Sequence, residues 1–389
     1  MASNLFAPSP EPKTPLGRHR VLGPHCGLRV SPLQLGAMSI GSGWSDMLGS
    51  MDKEQSFKLL DAFLEAGGST IDSANAYQND ESEEWIGEWM KDRGVRDRMV
   101  IATKYTTNYK MHAIGKNEAV NFGGNHKKSL HLSVRDSLKK LQTDYIDILY
   151  VHWWDWTTSI KEVMDSLHML VEQGKVLYLG VSDTPAWVVA AANQYAMDHG
   201  KSPFVIYQGR WNVMLRDFER DIIPMCRQFG LALAPWDAIA SGRLLSKKAL
   251  EARKQSGEAM RRGGGEQSDL ERKYSEVLEE IGKEHDCDSV TAIALACECA
   301  QGNTPNVFPL IGGRKVEHLH DNIKSLTIKL TAEQIQKIDA VQEFEHGFPH
   351  NFCGTDPTMV PNEGLPKNSL LGSSGTLDIL PGPKPFGLA

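Results

Sequence analysis

Cysteine is scarce in this chain, six residues in 389. Cys26, Cys226, Cys287, Cys297, Cys299 and Cys353 form no regular framework, so this is not a small domain stapled by disulfides, and a reducing compartment suits it. Cys287, Cys297 and Cys299 make a poor metal set, because Cys297 lies on an apolar helical stripe and no fourth ligand is in view. Positive charge is in deficit too. Lys and Arg total 42 against 49 Asp and Glu, for a net charge of −7, which argues against general affinity for nucleic acid or an anionic membrane. No apolar run approaches ~18 residues. The opening stretch, MASNLFAPSPEPKTPLGRHR, lacks the apolar core of a secretory signal. The expectation is a cytoplasmic protein, monomer or homodimer, with a small-molecule partner and neither nucleic acid nor membrane. Metal motifs such as HExxH are missing, as is any nucleophilic serine or cysteine motif.

What is present is ordinary globular composition, 41% hydrophobic and 23% charged. Residues 1–17 are rich in Pro and Ser and read as a loose segment. Two short strands around a turn follow in RVLGPHCGLRVS, residues 20–31. Then short apolar segments alternate with helical ones. The strands are expected at 33–38, 69–71, 99–103, 146–151, 177–181, 204–207, 231–235 and 307–311. They mostly do not alternate in polarity, as befits parallel strands buried on both faces. The helices between them carry stripes such as Phe57, Leu60, Phe63 and Leu64, or Leu130, Val134, Leu138 and Leu141. Eight β/α units in series predict a closed (β/α)₈ TIM barrel over residues 18–345. A doubly wound open sheet is the alternative, but no GxGxxG follows the first strand. Long loops are expected at 105–128, after the third strand, and at 237–268, after the seventh. Residues 346–389 read as an irregular tail rich in Pro and Gly.

The residues that follow the eight strands are Ser39, Asp72, Lys104, His152, Ser182, Gln208, Trp236 and Gly312. In a (β/α)₈ barrel these ends converge on one rim, where active sites lie. Taken singly, an aspartate there is a cap or turn former, a lysine is solvated and a histidine is structural. Taken together with Tyr77, five residues after Asp72, they suggest one chemistry. A phenol titrates near 10 and is a poor acid when unaided. Lys104 would supply a neighbouring positive charge, Asp72 would hold that lysine, and His152 would orient a substrate oxygen. Such a set donates a proton to a carbonyl that receives hydride.

The stretches IDSANAY (71–77), IATK (101–104), LYVHWWD (149–155) and YLGVSD (178–183) resemble the aldo-keto reductase superfamily in order and content over residues 20–345. GRHRVLGP, LQLGAMSIG, YQNDESEEWIGEW and GVSDTPAWVV resemble the fungal aryl-alcohol dehydrogenase and norsolorinic acid reductase type. The resemblance implies reduction of an aldehyde or ketone by NADPH on a barrel, with Tyr77 as general acid and Asp72, Lys104 and His152 around it. It further implies that Ser182, Asp183 and Gln208 hold the nicotinamide carboxamide. Asp183 departs from the commoner Asn of the pattern, yet a carboxylate still accepts an amide NH₂. Trp236 stands where a ring stacks on the nicotinamide, usually Tyr. Gly312, Gly313, Arg314 and Lys315 should receive the 2′-phosphate, with His318 and Asn322 near the adenine. Gly242, Arg243 and Leu244, with the Gly-rich 263–265 stretch, are expected to fold over the pyrophosphate as a clasp.

Aromatics crowd the same rim. Trp44, Tyr105, Trp153 and Trp154 are expected to line a flat apolar substrate pocket, with Tyr109 and Trp156 nearby and about half of the set merely packing between helices. That pocket suits aromatic aldehydes or ketones, and a place in fungal secondary metabolism follows from the resemblance alone. Two other readings stand beside it. One is an NADP(H)-binding regulatory or scaffold subunit with vestigial turnover, as in potassium channel β subunits. The other is a metal-dependent barrel using His126, His131 and His152.

Overall fold

The barrel strands run from two to seven residues. β1 is Arg20–Gly23, β2 Cys26–Val30, β3 Gln34–Gly36, β4 Thr70–Asp72, β5 Val100–Tyr105, β6 Ile146–Val151, β7 Val176–Ser182, β8 Phe204–Arg210, β9 Ala232–Trp236 and β10 Leu310–Ile311. The computed structural model describes residues 7–48, 51–256, 266–300, 306–359, 370–378 and 384–389. Strands β10, β3, β4, β5, β6, β7, β8 and β9 form one sheet in that order, every pair parallel. The sheet closes on itself through the segment before β10. Leu233 N–H donates to the Asn306 carbonyl and Phe308 N–H to the Leu233 carbonyl, both at 2.8 Å. This is the (β/α)₈ barrel the alternation predicted, with the two-stranded antiparallel hairpin β1–β2 ahead of it.

Side-chain alternation along each strand sorts the residues into two cores. Ile71, Ile101, Leu149, Val151, Leu179, Val181 and Leu233 face the helices and pack against residues such as Phe63, Trp89 and Leu167. Ala102, Ile148, Tyr150, Ile206, Ala232 and Ala234 face inward, where they meet Leu22, Cys26 and Val30 of the hairpin. The hairpin therefore stoppers the barrel's lower end. The same parity aims Asp72, Lys104, Ser182, Gln208 and Trp236 inward nearer the upper end. Register sets them in tiers, with Asp72 beside Ala102, Lys104 beside Tyr150 and Ser182 beside Gln208. Gly180 is required in this stack, because a Cβ there would lie 2.5 Å from the Tyr150 ring.

Helix starts follow capping rules. Asp52, Ser159 and Thr331 each accept a backbone N–H with the side-chain oxygen, and Ser268 does so in a full capping box with Glu271. Both ends of the chain are better anchored than composition suggested. Leu16 is fully buried and Thr14 Oγ1 donates to the Ala66 carbonyl at 2.6 Å, so residues 14–17 are docked while 7–13 are exposed, and 1–6 lie outside the described residues. Beyond residue 345 the described chain is mostly irregular, as expected. Its last residues pair with the barrel's flank, Leu330 N–H to Gly387 carbonyl at 3.1 Å and Ala389 N–H to Leu330 carbonyl at 2.9 Å. Among the described residues no helix is long and apolar enough to cross a membrane.

One residue in the helix Val290–Ala300 runs against the packing. Glu298 is fully buried and neither carboxylate oxygen has a hydrogen-bond partner among the described residues. Burial, with Asp237 adding repulsion, holds its carboxyl well above the ordinary 4.5. A raised carboxyl favours the fold while protonated, so stability falls as pH rises above about 4.5. Glu298→Leu is expected to stabilise the protein by roughly 1–3 kcal/mol. The gain in melting temperature should be larger at pH 8 than at pH 5, and a loss of stability at both values would contradict the assignment.

Candidate active site

Four polar side chains meet at the upper end of the barrel. Lys104 Nζ donates to Asp72 Oδ1 at 2.5 Å and to the Ser73 carbonyl at 2.7 Å, with both members of the ion pair buried. Gln208 Nε2 donates to the other oxygen, Asp72 Oδ2, at 3.0 Å. The Lys104 ammonium lies 5.2 Å from the centre of the Tyr77 ring. Tyr77 in turn stands edge-on to His152 at 5.8 Å and to Trp44 at 6.0 Å. The strands β4, β5 and β6 thus bring together the four residues singled out at their ends. The strands run slightly further than expected, so that Asp72 and Lys104 belong to them.

The electrostatics follow from crowding charges where water is thin. Burial works against the Lys104 ammonium, but Asp72 and Tyr77 outweigh it and its pKa ends raised. Burial raises the Tyr77 phenol as well, and the pull of Lys104 only partly offsets it. The sequence suggested a net lowering. The structure shows the opposite direction, because desolvation of the phenolate is the larger effect. His152 is lowered to about 3 by burial and by repulsion from Lys104, so the imidazole is neutral. Its Nδ1 lies 3.3 Å from Thr107 Oγ1, which also accepts from the Trp153 indole N–H at 3.0 Å.

A second group lines the rim over β7 to β9. Ser182 is buried and its Oγ has no partner among the described residues. Asp183 follows in the left-handed region at φ 41° and accepts the Trp236 indole N–H at 3.1 Å. Desolvation pushes its carboxyl up to about 6, with the Trp236 bond and Lys104 pulling back. The residue is exposed all the same, so solvent weakens that effect and the carboxyl is no buried neutral acid. Further round, Gly312, Gly313, Arg314 and Lys315 lead directly into the helix Val316–Lys324, whose N-terminus attracts anions. His318 is exposed on that helix and Asn322 is buried.

Comparison with known proteins decides what this assembly belongs to. Residues 32–343 match the sequence model of the Aldo/keto reductase family. The chain belongs to the aldo/keto reductase family. Relatives include the aldo-keto reductase ausK of Emericella nidulans, 57% identical over 91% of this chain and 88% of that protein. The aryl-alcohol dehydrogenase [NADP(+)] of Phanerodontia chrysosporium is 54% identical over 90% and 92% respectively. Norsolorinic acid reductase A of Aspergillus parasiticus is 49% identical over 90% and 88%. The protein is therefore an oxidoreductase.

The rim of this aldo/keto reductase differs from the expected pocket in several places. Tyr105 is fully buried between barrel and helices, with its hydroxyl on the Asn125 carbonyl at 3.2 Å. It follows Lys104 in the same strand and must face the other way. Trp154 is likewise buried in the helix-side core. Tyr109 is buried with its hydroxyl on Asp136. Trp44 and Trp153 remain at the mouth, the first against Tyr77 and the second hydrogen-bonded to Thr107. Trp187, which the sequence reading passed over, joins the exposed Trp156 at 6.4 Å on the surface. On the expected clasp, Arg243 is paired with Glu271 at 3.1 Å and Leu244 is buried in the core, so the Leu244 side chain offers no surface to a ligand. The 263–265 stretch lies outside the described residues. His126 uses its Nδ1 to cap the helix Lys127–Lys140, which removes that nitrogen from a metal set with His131 and His152. Among the described residues no three His, Cys, Asp or Glu side chains gather as a metal site.

Proposed function

We propose that this aldo/keto reductase reduces an aromatic aldehyde or ketone to the alcohol with NADPH, Tyr77 acting as general acid. The ring of Tyr77, Lys104, Asp72 and His152 at the barrel mouth carries this reading. NADPH, when bound, supplies the hydride. The phenol must then hold a proton at neutral pH and release it to the carbonyl oxygen. Its raised pKa ensures the first, and the nearby Lys104 ammonium stabilises the phenolate that forms. Asp72 keeps Lys104 charged and fixed, and Gln208 fixes Asp72. Thr107 is the second support. With the Trp153 N–H on its oxygen, its own proton is assigned to His152 Nδ1, which leaves the ring proton on Nε2 to orient the substrate oxygen.

The residues present fit the cofactor. The unpartnered Ser182 hydroxyl, the Asp183 carboxyl and the Gln208 amide oxygen complement a carboxamide, and Trp236 offers a flat ring face. Arg314 and Lys315 at a helix N-terminus suit a 2′-phosphate, which favours NADPH over NADH. His318 and Asn322 are assigned to the adenine, and Gly242 with Arg243 to the pyrophosphate. The NADP(+) in the Phanerodontia relative's name supports this preference. The name of the aryl-alcohol dehydrogenase relative supports aromatic substrates, and a setting in fungal secondary metabolism rests on the family resemblance alone.

The test is NADPH oxidation by purified protein against a panel of aryl aldehydes, aryl ketones and open-chain sugars. The aryl compounds should turn over with clearly higher kcat/KM. Equal efficiency on sugars would remove the aromatic preference. Tight NADPH binding with no oxidation across the panel would favour a cofactor-binding subunit instead.

A further inference from the structure

The loop that carries Tyr77 has an unusual far side. Gln78, Asn79 and Asp80 all have positive φ, at 55°, 56° and 85°, and none is glycine. Backbone of this kind persists only where surrounding contacts over-determine it. Gln78 and Asn79 are tied to the loop after β3. Gln78 Nε2 donates to the Met38 carbonyl at 2.7 Å, and the Trp44 backbone and indole N–H groups donate to Gln78 Oε1 and Asn79 Oδ1 at 2.7 and 3.0 Å. Asp80 turns the other way. Its Oδ1 accepts from Lys140 Nζ at 2.7 Å, and Lys140 also donates to the Asn75 carbonyl at 2.9 Å. Glu83 Oε2 lies 2.7 Å from the same ammonium, and Glu83 Oε1 accepts from Thr103 Oγ1 at 2.5 Å. Lys140 is 9% exposed and Glu83 is fully buried.

We propose that Lys140 is a positioning residue for the reaction. Its ammonium grips the Asn75 carbonyl two residues before Tyr77 and the Asp80 carboxylate three residues after it, so one atom ties both feet of the loop together, while Lys110 Nζ holds the other Asp80 oxygen at 3.0 Å. A buried ion cluster adds little to stability over well-packed apolar residues. Its contribution here is geometric: it fixes the phenol against Lys104 and His152. This rests on Tyr77 as the proton donor.

The experiment measures kcat, NADPH affinity by fluorescence and melting temperature for Lys140→Met, Lys140→Arg, Asp80→Gly and Tyr77→Phe. Lys140→Met should lower kcat about 10–100-fold with NADPH affinity unchanged, and Lys140→Arg should restore most of the rate. Asp80→Gly relieves the left-handed backbone, so it should fold well and still lose rate. A Lys140→Met protein that melts lower but turns over at the wild-type kcat overturns the clamp. If Lys140→Met fails to fold, a wild-type kcat in Asp80→Gly overturns it. If Tyr77→Phe keeps its rate, the proton-donor reading fails first, and the clamp loses its purpose with it.

Discussion

Tyr77→Phe is expected to lower the rate of carbonyl reduction by ~10²–10⁴ while leaving NADPH binding intact. The substitution removes one oxygen from a half-buried ring whose edges meet Trp44 and His152. Those contacts use the ring and survive in phenylalanine. What disappears is the phenolic proton, which burial holds on the ring and Lys104 helps to release. Single-turnover kinetics with an aryl aldehyde, beside a fluorescence titration with NADPH, separates the two effects. Unchanged turnover would mean that another group protonates the product alkoxide.

Lys104→Met should be costly in two currencies. The lysine side chain is fully buried and its partner Asp72 nearly so. Removing the ammonium leaves a buried carboxylate with Gln208 as its remaining side-chain donor. Breaking such a pair destabilises by roughly 3–5 kcal/mol, read as a shift in the denaturant midpoint. Turnover should fall as well, because the phenolate then forms without a neighbouring cation. The double variant Asp72→Asn with Lys104→Met separates the two. It should recover much of the stability, since no uncompensated charge remains, and none of the rate. A single Lys104→Met variant as stable as wild type would sink the argument.

The barrel was legible because its strands are buried on both faces and therefore read as short unbroken apolar runs that end on polar residues. Those ends named Asp72, Lys104 and His152 directly. Reading only the ends, without the alternation along each strand, is what misplaced Tyr105, which adjoins Lys104 and faces the helices. Period-two counting from Lys104 would have caught it. Trp154 is a different case, because β6 stops at Val151 and parity lapses in the loop. Lys140 was invisible because a lysine in a helix's last turn reads as ordinary compensation of the helix dipole. Only the fold brings Asn75, Asp80 and Glu83 around it. Thr107 lies in a loop whose path no local pattern specifies. Trp187 sits at a helix start, five residues past the end of β7. The direction of the Tyr77 shift was also beyond reach, since it depends on how much water the fold removes and the sequence gives only which charges are near.

The hairpin β1–β2 has a kinetic consequence. With Leu22, Cys26 and Val30 wedged into the interior, the tube has one doorway. In the proposed reaction cofactor and substrate would share that doorway, so the order in which they enter would constrain the order in which they leave.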